Sequence, residues 1–343
     1  MSNDNGTIQS IDGNVNIDIN RLNNSALSRN NINTQIPKGI LAGNDINISS
    51  GHIKNYNTDI SAKKNINIKA TNLNNYSAII KSGEKLNIDT TSISNFTGLI
   101  KSGEDMNIAT SLINNDSISS IESNNNLTIN ADRITNSGSI LFKNGTADIN
   151  SKNIINSYGF IQGETLNSIS DVFNNNSGYV NTSNLANINA TNIYNNNSES
   201  FKKVSTRFGL VNQSGGIESV NGSIKLSGSY LYNNSGKIVS SKTTRVPTGG
   251  DINLYLNGKV QNDAGIITSS KDININTITL SNIYGSINAD NNANIKSSIS
   301  INNAAGRINA NNKNTVESLK IQSLKKGEIT GGTVVIITDR YVK

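Results

Sequence analysis

The chain contains a single histidine, His52, so any catalytic triad of the Ser-His-Asp kind has to use it. His52 follows Ser50 and Gly51 and lies next to Lys54, without a matching acid close by in the sequence. A triad needs such an acid to orient the imidazole. We therefore predict that His52 is an exposed turn residue without a catalytic role.

Glu84 and Glu104 are spaced in a way that could serve acid catalysis, because they lie 20 residues apart in Lys-Ser-Gly-Glu segments. If residues with this spacing stack on neighbouring strands, their carboxylates lie about 5 Å apart, the separation that retaining glycosidases use. Any stacked repeat produces the same coincidence, and Lys85 and Lys101 accompany the two glutamates. This charge balance favours two solvated corner residues over a catalytic pair.

Three aromatic residues, Tyr56, Tyr76 and Phe96, recur with the same spacing. Stacked rings of this kind form a sugar-binding strip if they face solvent, whereas rings that pack on each other seal a corner of the fold. The sequence leaves both interpretations open, and the structural one is the more usual.

Composition excludes several other kinds of chemistry. The chain has no cysteine, which rules out thiolate zinc sites and cysteine nucleophiles. Calcium-binding Gly-Gly-x-Gly-x-Asp repeats and phosphate-binding glycine loops are also missing from the sequence, so we expect no cofactor. The net charge of +6 is spread along 343 residues, which argues against nucleic acid as a partner. No apolar stretch is long enough to span a bilayer.

The elements that carry these residues form a repeat with a period of about 20 residues. Its first segment reads Ile-Asn-Ile or a close variant, beginning at Ile46, Ile66, Leu86 and Met106. Its second segment is an apolar residue followed two places later by asparagine, as in Ile53 and Asn55. Its third segment places isoleucine before a small residue and often glycine. Alternation within each segment indicates strands, and no segment has helical periodicity.

A single coil of this kind cannot bury its few isoleucines, so stability has to come from stacking. The repeat predicts an all-β, right-handed, single-stranded parallel β-helix of about fifteen coils, covering residues 1–343 as one region. Stacking explains how only 34% hydrophobic residues can form a core. We also predict that one column of asparagines turns inward at a corner, where each amide bonds to the next in a structural ladder: Asn55, Asn75, Asn95, Asn115 and Asn136.

Three steps of the repeat are too long, which predicts insertions near residues 25–35, 199–214 and 242–248. Insertions in a solenoid leave at the corners and often form the binding face. The insertions are basic and partly aromatic, which is typical of a site for acidic glycans or a partner protein. Tolerated loops that fold back on the coils are the alternative. The candidate partner-binding residues are Phe201, Lys202, Lys203, Arg207, Phe208, Lys242 and Arg245.

The recurring string Ile-Asn-Ile, Ile-x-Asn and Ser-x-Ile-x-Ser-Gly resembles the haemagglutinin repeats of the filamentous haemagglutinin family, from about Thr7 to about Ile337. These proteins are exoproteins of two-partner secretion in Gram-negative bacteria, and they include adhesins and contact-dependent growth inhibition effectors. The resemblance implies a secreted or cell-surface location. It also implies an outer-membrane two-partner secretion transporter for the parent protein and a cell-surface glycan or protein as receptor.

The chain departs from that family in its proline contexts. Family members carry Asn-Pro-Asn motifs in a secretion domain, whereas Pro37 follows Ile36 and Pro247 follows Val246. An export signal is also missing from the first ten residues. We therefore expect a piece of a longer exoprotein that acts as a non-catalytic shaft or adhesin segment. The alternatives are a polysaccharide-active β-helix enzyme and the stalk of a growth-inhibition toxin.

Overall fold

The computed structural model describes residues 1–27, 38–200, 204–206, 209–211, 215–243, 249–324 and 326–342. For 204–206 and 209–211 it describes the backbone alone. The chain is 71% strand, and the helical content of these ranges is limited to a 3-10 turn at Ser198–Ser200. Parallel strands stack as a β-solenoid of about 16 coils of roughly 20 residues, which confirms the predicted fold class.

Contacts divide the chain into two compact units, of which the first contains Met1–Ile154 and the segment Val204–Val211. Most of its coils combine one long strand with one strand of four residues. In order, its strands are β1 Ser2–Asp4, β2 Thr7–Ser10, β3 Val15–Ser25, β4 Gly39–Ala42, β5 Ile46–Tyr56, β6 Asp59–Ala62, β7 Ile66–Tyr76, β8 Ile79–Ser82, β9 Leu86–Phe96, β10 Leu99–Ser102, β11 Met106–Asn115, β12 Ser120–Ser123, β13 Leu127–Asn136 and β14 Ser139–Ile155.

The second unit contains Ile155–Lys203 and Asn212–Lys343. It begins with β15 Phe160–Asn174 and β16 Tyr179–Tyr194. The hairpin of β17 Val204–Thr206 and β18 Gly209–Val211 then belongs to the first unit. The remaining strands are β19 Gly216–Val220, β20 Ser223–Tyr232, β21 Lys237–Ser241, β22 Ile252–Gln261, β23 Ile266–Ser269, β24 Ile273–Ser281, β25 Ser286–Ala289, β26 Ala293–Asn302, β27 Arg307–Glu317, β28 Lys320–Gln322, β29 Glu328–Ile337 and β30 Arg340–Val342.

The strands are less separate than the three-segment repeat suggests, because the first two segments of most coils form one bent strand. In β5, Ser50 lies at the bend and its hydroxyl donates a hydrogen bond to the carbonyl oxygen of His52, at 3.1 Å. Thr110 does the same for Leu112 in β11, at 3.3 Å. The strand therefore passes the corner without an intervening turn, and its pairing with the next coil resumes after the bend, where His52 lies beside Asn72.

The register places apolar residues that are one repeat apart directly over each other. In the first unit, Ile66 of β7 pairs with Ile46 of β5 on one side and with Leu86 of β9 on the other. All three side chains are fully buried. Because each isoleucine packs on its neighbours above and below, a few apolar residues per coil suffice for a continuous core within the unit.

The asparagines of the second segment form a buried column of amides in the first unit. The Nδ2 of Asn55 donates to the Oδ1 of Asn75 at 3.0 Å, and the Nδ2 of Asn75 donates to the Oδ1 of Asn95 at 2.8 Å. Asn115 and Asn136 continue the column with a bond of 2.7 Å, so all five predicted ladder residues lie in it. The second unit repeats this arrangement with Asn156, Asn175, Asn195, Asn233, Asn262, Asn282 and Asn303.

Many of the ladder amides also close their own corner. The Nδ2 of Asn75 donates to the carbonyl oxygens of Ala78, at 3.1 Å, and of Leu99 in the next coil, at 3.2 Å. Between Asn75 and Ala78 the chain turns through Ser77, whose φ of 47° lies in the left-handed region. At the next corner a side chain at Gly98 would collide with the Oδ1 of Asn95, so glycine is required there.

Candidate functional site

His52 is exposed, but it lies within the bent strand β5 and not in a turn as predicted. Its Nδ1 lies 2.9 Å from the Nδ2 of Asn72 in the next coil. Because an amide nitrogen can only donate, Nδ1 is the acceptor of this bond. Within the described residues the imidazole has an amide as its partner and no carboxylate, so the arrangement of a triad is missing there.

Glu84 and Glu104 lie at equivalent positions of neighbouring coils, where the backbone N–H of Glu104 donates to the carbonyl oxygen of Glu84 at 3.0 Å. Glu84 is half-buried and Glu104 is exposed. Lys85 beside them forms an exposed ion pair with Asp105, with a nitrogen–oxygen distance of 3.9 Å. The two glutamates therefore lie at a charged, solvated corner.

The aromatic column combines both interpretations that the sequence leaves open. The rings of Tyr56 and Tyr76 stack with centroids 5.1 Å apart, and those of Tyr76 and Phe96 with centroids 5.9 Å apart. Tyr76 is nevertheless 43% exposed and Phe96 50% exposed. Tyr76 lies between the other two rings, so both of its faces are covered and mainly its edges meet the solvent. Sugars bind best on open ring faces, so this geometry favours the structural role.

Most of the predicted partner-binding loop lies outside the described residues, which include neither Phe201, Lys202, Lys203, Arg207 and Phe208 nor Arg245. Lys242 is described, and its ammonium group forms an exposed ion pair with Asp290 at 3.1 Å. The insertion near 25–35 is also largely outside the described ranges. Whether these residues bind a partner stays a prediction.

The largest insertion leaves a closed base. The backbone N–H of Gly215 donates to the carbonyl oxygen of Ser198 at 2.7 Å, so the two ends of the segment meet. Across it, the Nδ2 of Asn195 still donates to the Oδ1 of Asn233 at 2.8 Å. The insertion therefore emerges between the second and third segments of a coil without breaking the stack.

Glu122 is the most deeply buried carboxylate of the described chain, with a relative exposure of 1%. It is stabilised by the ammonium group of Lys101 at 3.1 Å and by the hydroxyl of Ser120 at 2.9 Å. Leu141 takes the same position in the next coil. The sequence contains no signal for this burial, since strand alternation places Glu122 on the outward side.

Replacing Lys101 by methionine should lower the free energy of unfolding by about 3 kcal/mol, because it leaves the Glu122 carboxylate buried without its cation. The double change Lys101→Met with Glu122→Leu should restore most of the stability, since leucine already occupies the next position of the column. Denaturant titration followed by circular dichroism measures both effects. A double variant less stable than the single one would contradict this account.

Tyr179 is the corresponding buried polar group of the second unit. Its hydroxyl donates to Glu218 at 2.6 Å and accepts from the Nδ2 of Asn181 at 2.6 Å. Burial raises the pKa of the phenol well above its usual range, and the nearby carboxylate adds to the shift. The protonated hydroxyl joins strand β16, which carries Tyr179, to strand β19, which carries Glu218.

A groove on the first unit is a site that the sequence reasoning missed. It has a volume of about 760 Å³ and crosses six coils from Asn16 to Asn130. This size falls within the range of roughly 300 to 1,000 Å³ that is usual for ligand pockets. Its floor passes over the backbone of the isoleucine column, including Ile48, Ile68 and Ile88, whose side chains point into the core.

One wall of the groove is a second amide ladder, formed by the asparagines of the Ile-Asn-Ile segments. The Nδ2 of Asn67 donates to the Oδ1 of Asn47 at 2.8 Å, and Asn87 donates to Asn67 in the same way. Asn16 and Asn107 extend this outer ladder at its two ends. The repeated asparagine between two buried isoleucines was the available sequence signal.

The opposite wall carries charges of both signs. Its column consists of the residues two places after each ladder asparagine, or after Thr128 in the last coil, and they are Asp18, Ser49, Lys69, Asp89, Ala109 and Asn130. Ser49, Lys69 and Asp89 are exposed. A ligand in the groove would therefore meet an amide row on one side and a nearly neutral, mixed row on the other.

Comparisons with protein-family models, curated proteins and solved structures found no match for this chain.

Within the described ranges, no group of three or more histidine, cysteine, aspartate or glutamate side chains is placed to hold a metal ion. The same ranges contain no helix with the length and apolar character needed to cross a membrane. The candidate features of the described residues are therefore two amide ladders, an aromatic column, a groove and the base of an insertion.

Proposed function

We propose that this chain is a non-catalytic shaft segment of a secreted or cell-surface adhesin, of the kind found in filamentous haemagglutinin-like exoproteins. In this role it holds a binding or effector region away from the cell. The parent protein would leave the cell through an outer-membrane two-partner secretion transporter. Recognition of a glycan or protein on another cell would take place through the insertions that leave the coils.

The observation that carries the proposal is the buried asparagine ladder within each unit. Each of its rungs joins two coils through a bond of 2.6 to 3.0 Å, and the same amides hold the corners. Such a ladder stiffens the stack, because buried amides that lose their partners cost free energy. Stiffness and a polar exterior are the properties that a spacer needs.

The insertions supply the second argument. Insertion 199–214 leaves the second unit through a base closed by Ser198 and Gly215. Its sequence includes Lys202, Lys203 and Arg207. A loop that is anchored at its base and whose sequence lies outside the repeat can vary without loss of the coils, which is how solenoids present binding residues.

The test is binding of the purified chain to epithelial and bacterial cells, with and without residues 199–214. Deletion joins two residues that already share a hydrogen bond, so the β spectrum should survive. We expect cell binding to fall at least about tenfold. Triple replacement of Lys202, Lys203 and Arg207 by serine should have the same effect.

A matched control removes the same charge from the coils, through serine at the exposed residues Lys225, Lys271 and Lys313. This control should bind cells like the unchanged chain. If the unchanged chain binds neither cell type, or if the control loses binding as strongly as the loop variants, recognition through the insertion is wrong.

A further inference from the structure

The outer ladder differs from the buried one in how many of its hydrogen-bond donors are used. In the buried ladder, the Nδ2 of Asn75 donates to one amide and to two backbone carbonyl oxygens. In the outer ladder, Asn67 and Asn87 each donate one bond along the row, and the described residues provide no acceptor for the second hydrogen. The groove wall therefore offers one free N–H per coil, repeated about every 4.8 Å.

We propose that this groove binds an extended, uncharged polysaccharide of pyranose units that lies along the stack of coils. The inference deepens the proposed adhesin function and depends on it for its biological meaning. Binding of a polysaccharide in the groove does not itself require the adhesin role.

The spacing of the donors favours a sugar chain over a peptide. In an extended peptide, the groups that point to one side recur every two residues, or roughly 6.6 to 6.8 Å, which does not match the coil spacing of about 4.8 Å. A pyranose unit in an extended chain is close to one coil spacing in length. One hydroxyl or ring oxygen per sugar can therefore accept a bond from each of Asn47, Asn67, Asn87 and Asn107.

The charges of the opposite wall favour an uncharged chain. An anionic polysaccharide would approach Asp18 and Asp89, and a cationic chain would approach Lys69. A neutral chain avoids both repulsions, while its hydroxyls can donate to the carboxylates and accept from the ammonium group. The mainly apolar lining of the groove suits the C–H faces of pyranose rings.

The groove can be filled without disturbing the core. Ser49 and Ala109 are exposed wall residues on strands β5 and β11, so tyrosine at both positions would occupy the space above the floor. The second unit has a tyrosine at the equivalent position of a coil. Tyr255 lies three residues after Ile252, as Ser49 lies three residues after Ile46, and it is 45% exposed. Ser227→Tyr, in the register position next to Tyr255, is the matched control.

The experiment is affinity electrophoresis of the full chain in gels that contain hydroxyethylcellulose, glucomannan, galactan or dextran, with heparin and polygalacturonate as anionic chains. We expect retardation by at least one neutral polysaccharide. The Ser49→Tyr and Ala109→Tyr double variant should weaken it about tenfold or more, while Ser227→Tyr should leave it unchanged. Circular dichroism verifies that both variants keep the β spectrum.

Three results of the electrophoresis would overturn the proposal: no retardation by any neutral chain, retardation by the anionic chains alone, or equal retardation of the filled and control variants. Concentration-dependent dimerisation that only the filled variant loses would assign the groove to a second copy of the chain, and would also overturn it. Cell binding is measured separately. Loss of cell binding in the 199–214 deletion with intact polysaccharide binding, or the reverse, shows which of the two proposals fails.

Discussion

Replacing Asn75 by alanine should lower the free energy of unfolding by about 4 kcal/mol, although a polar side chain is exchanged for a small apolar one. Asn75 is fully buried; its Oδ1 accepts a bond from Asn55, and three acceptors share the two hydrogens of its Nδ2. Its loss leaves the Oδ1 of Asn95 and two backbone carbonyl oxygens without this donor. Each buried polar group that loses its partner costs about 1 to 3 kcal/mol.

The same strand provides the control for this prediction. Asn67 also lies in β7 and also belongs to an amide ladder, but it is exposed. Because water replaces its lost partners, Asn67→Ala should change stability by no more than about 0.5 kcal/mol. Denaturant titration of both variants measures the difference. Equal effects would show that burial of the inner ladder does not contribute to stability as argued.

Replacing Ile68 by aspartate should disrupt the stack, with an expected cost of more than about 5 kcal/mol. Ile68 has a relative exposure of 2% and packs between Ile48 and Ile88 in the register of the column. A carboxylate in this place loses the apolar contacts and has no cation beside it in the column. Thermal melting by far-UV circular dichroism and the rate of proteolysis should both report the loss.

Lys69, the residue next to Ile68, is the control for burial, because it has almost the same position in the sequence but lies on the outward side. Lys69 follows Ile68 in β7 but points outward to the groove wall. Lys69→Asp should therefore melt close to the unchanged chain while it makes the groove more acidic. An unchanged melting curve for Ile68→Asp would mean that the inward side of the strand has been assigned incorrectly.

Recognition by the insertions and by the groove would serve different ligands. The residues of insertion 199–214 are basic, which suits acidic glycans or proteins, whereas the groove suits an uncharged chain. A shaft with both features could bind a cell surface at two chemically distinct points. The variants described above change one feature at a time, so their effects can be compared in the same cell-binding assay.

The period and alternation of the amino-acid sequence are sufficient to predict the parallel solenoid and the residues of its core. Strand alternation and a spacing of 20 residues allow only one side of each segment to be apolar, so Ile46, Ile66 and Leu86 have to stack. The inward asparagine column followed from the same spacing, because an amide at a buried corner needs a partner and the next amide supplies it.

Which of the outward residues are exposed, and what they form together, depends on the packing of the folded chain. The groove is made of side chains from six coils, and the burial of Glu122 depends on what surrounds its strand and not on its place in the alternation. The spacing of Tyr76 and Phe96 does not show whether their rings face solvent or pack on each other, whereas their stacking and exposure in the structure do. The physical reason is that periodicity separates inside from outside, whereas the shape of a surface depends on side chains that are distant in the sequence.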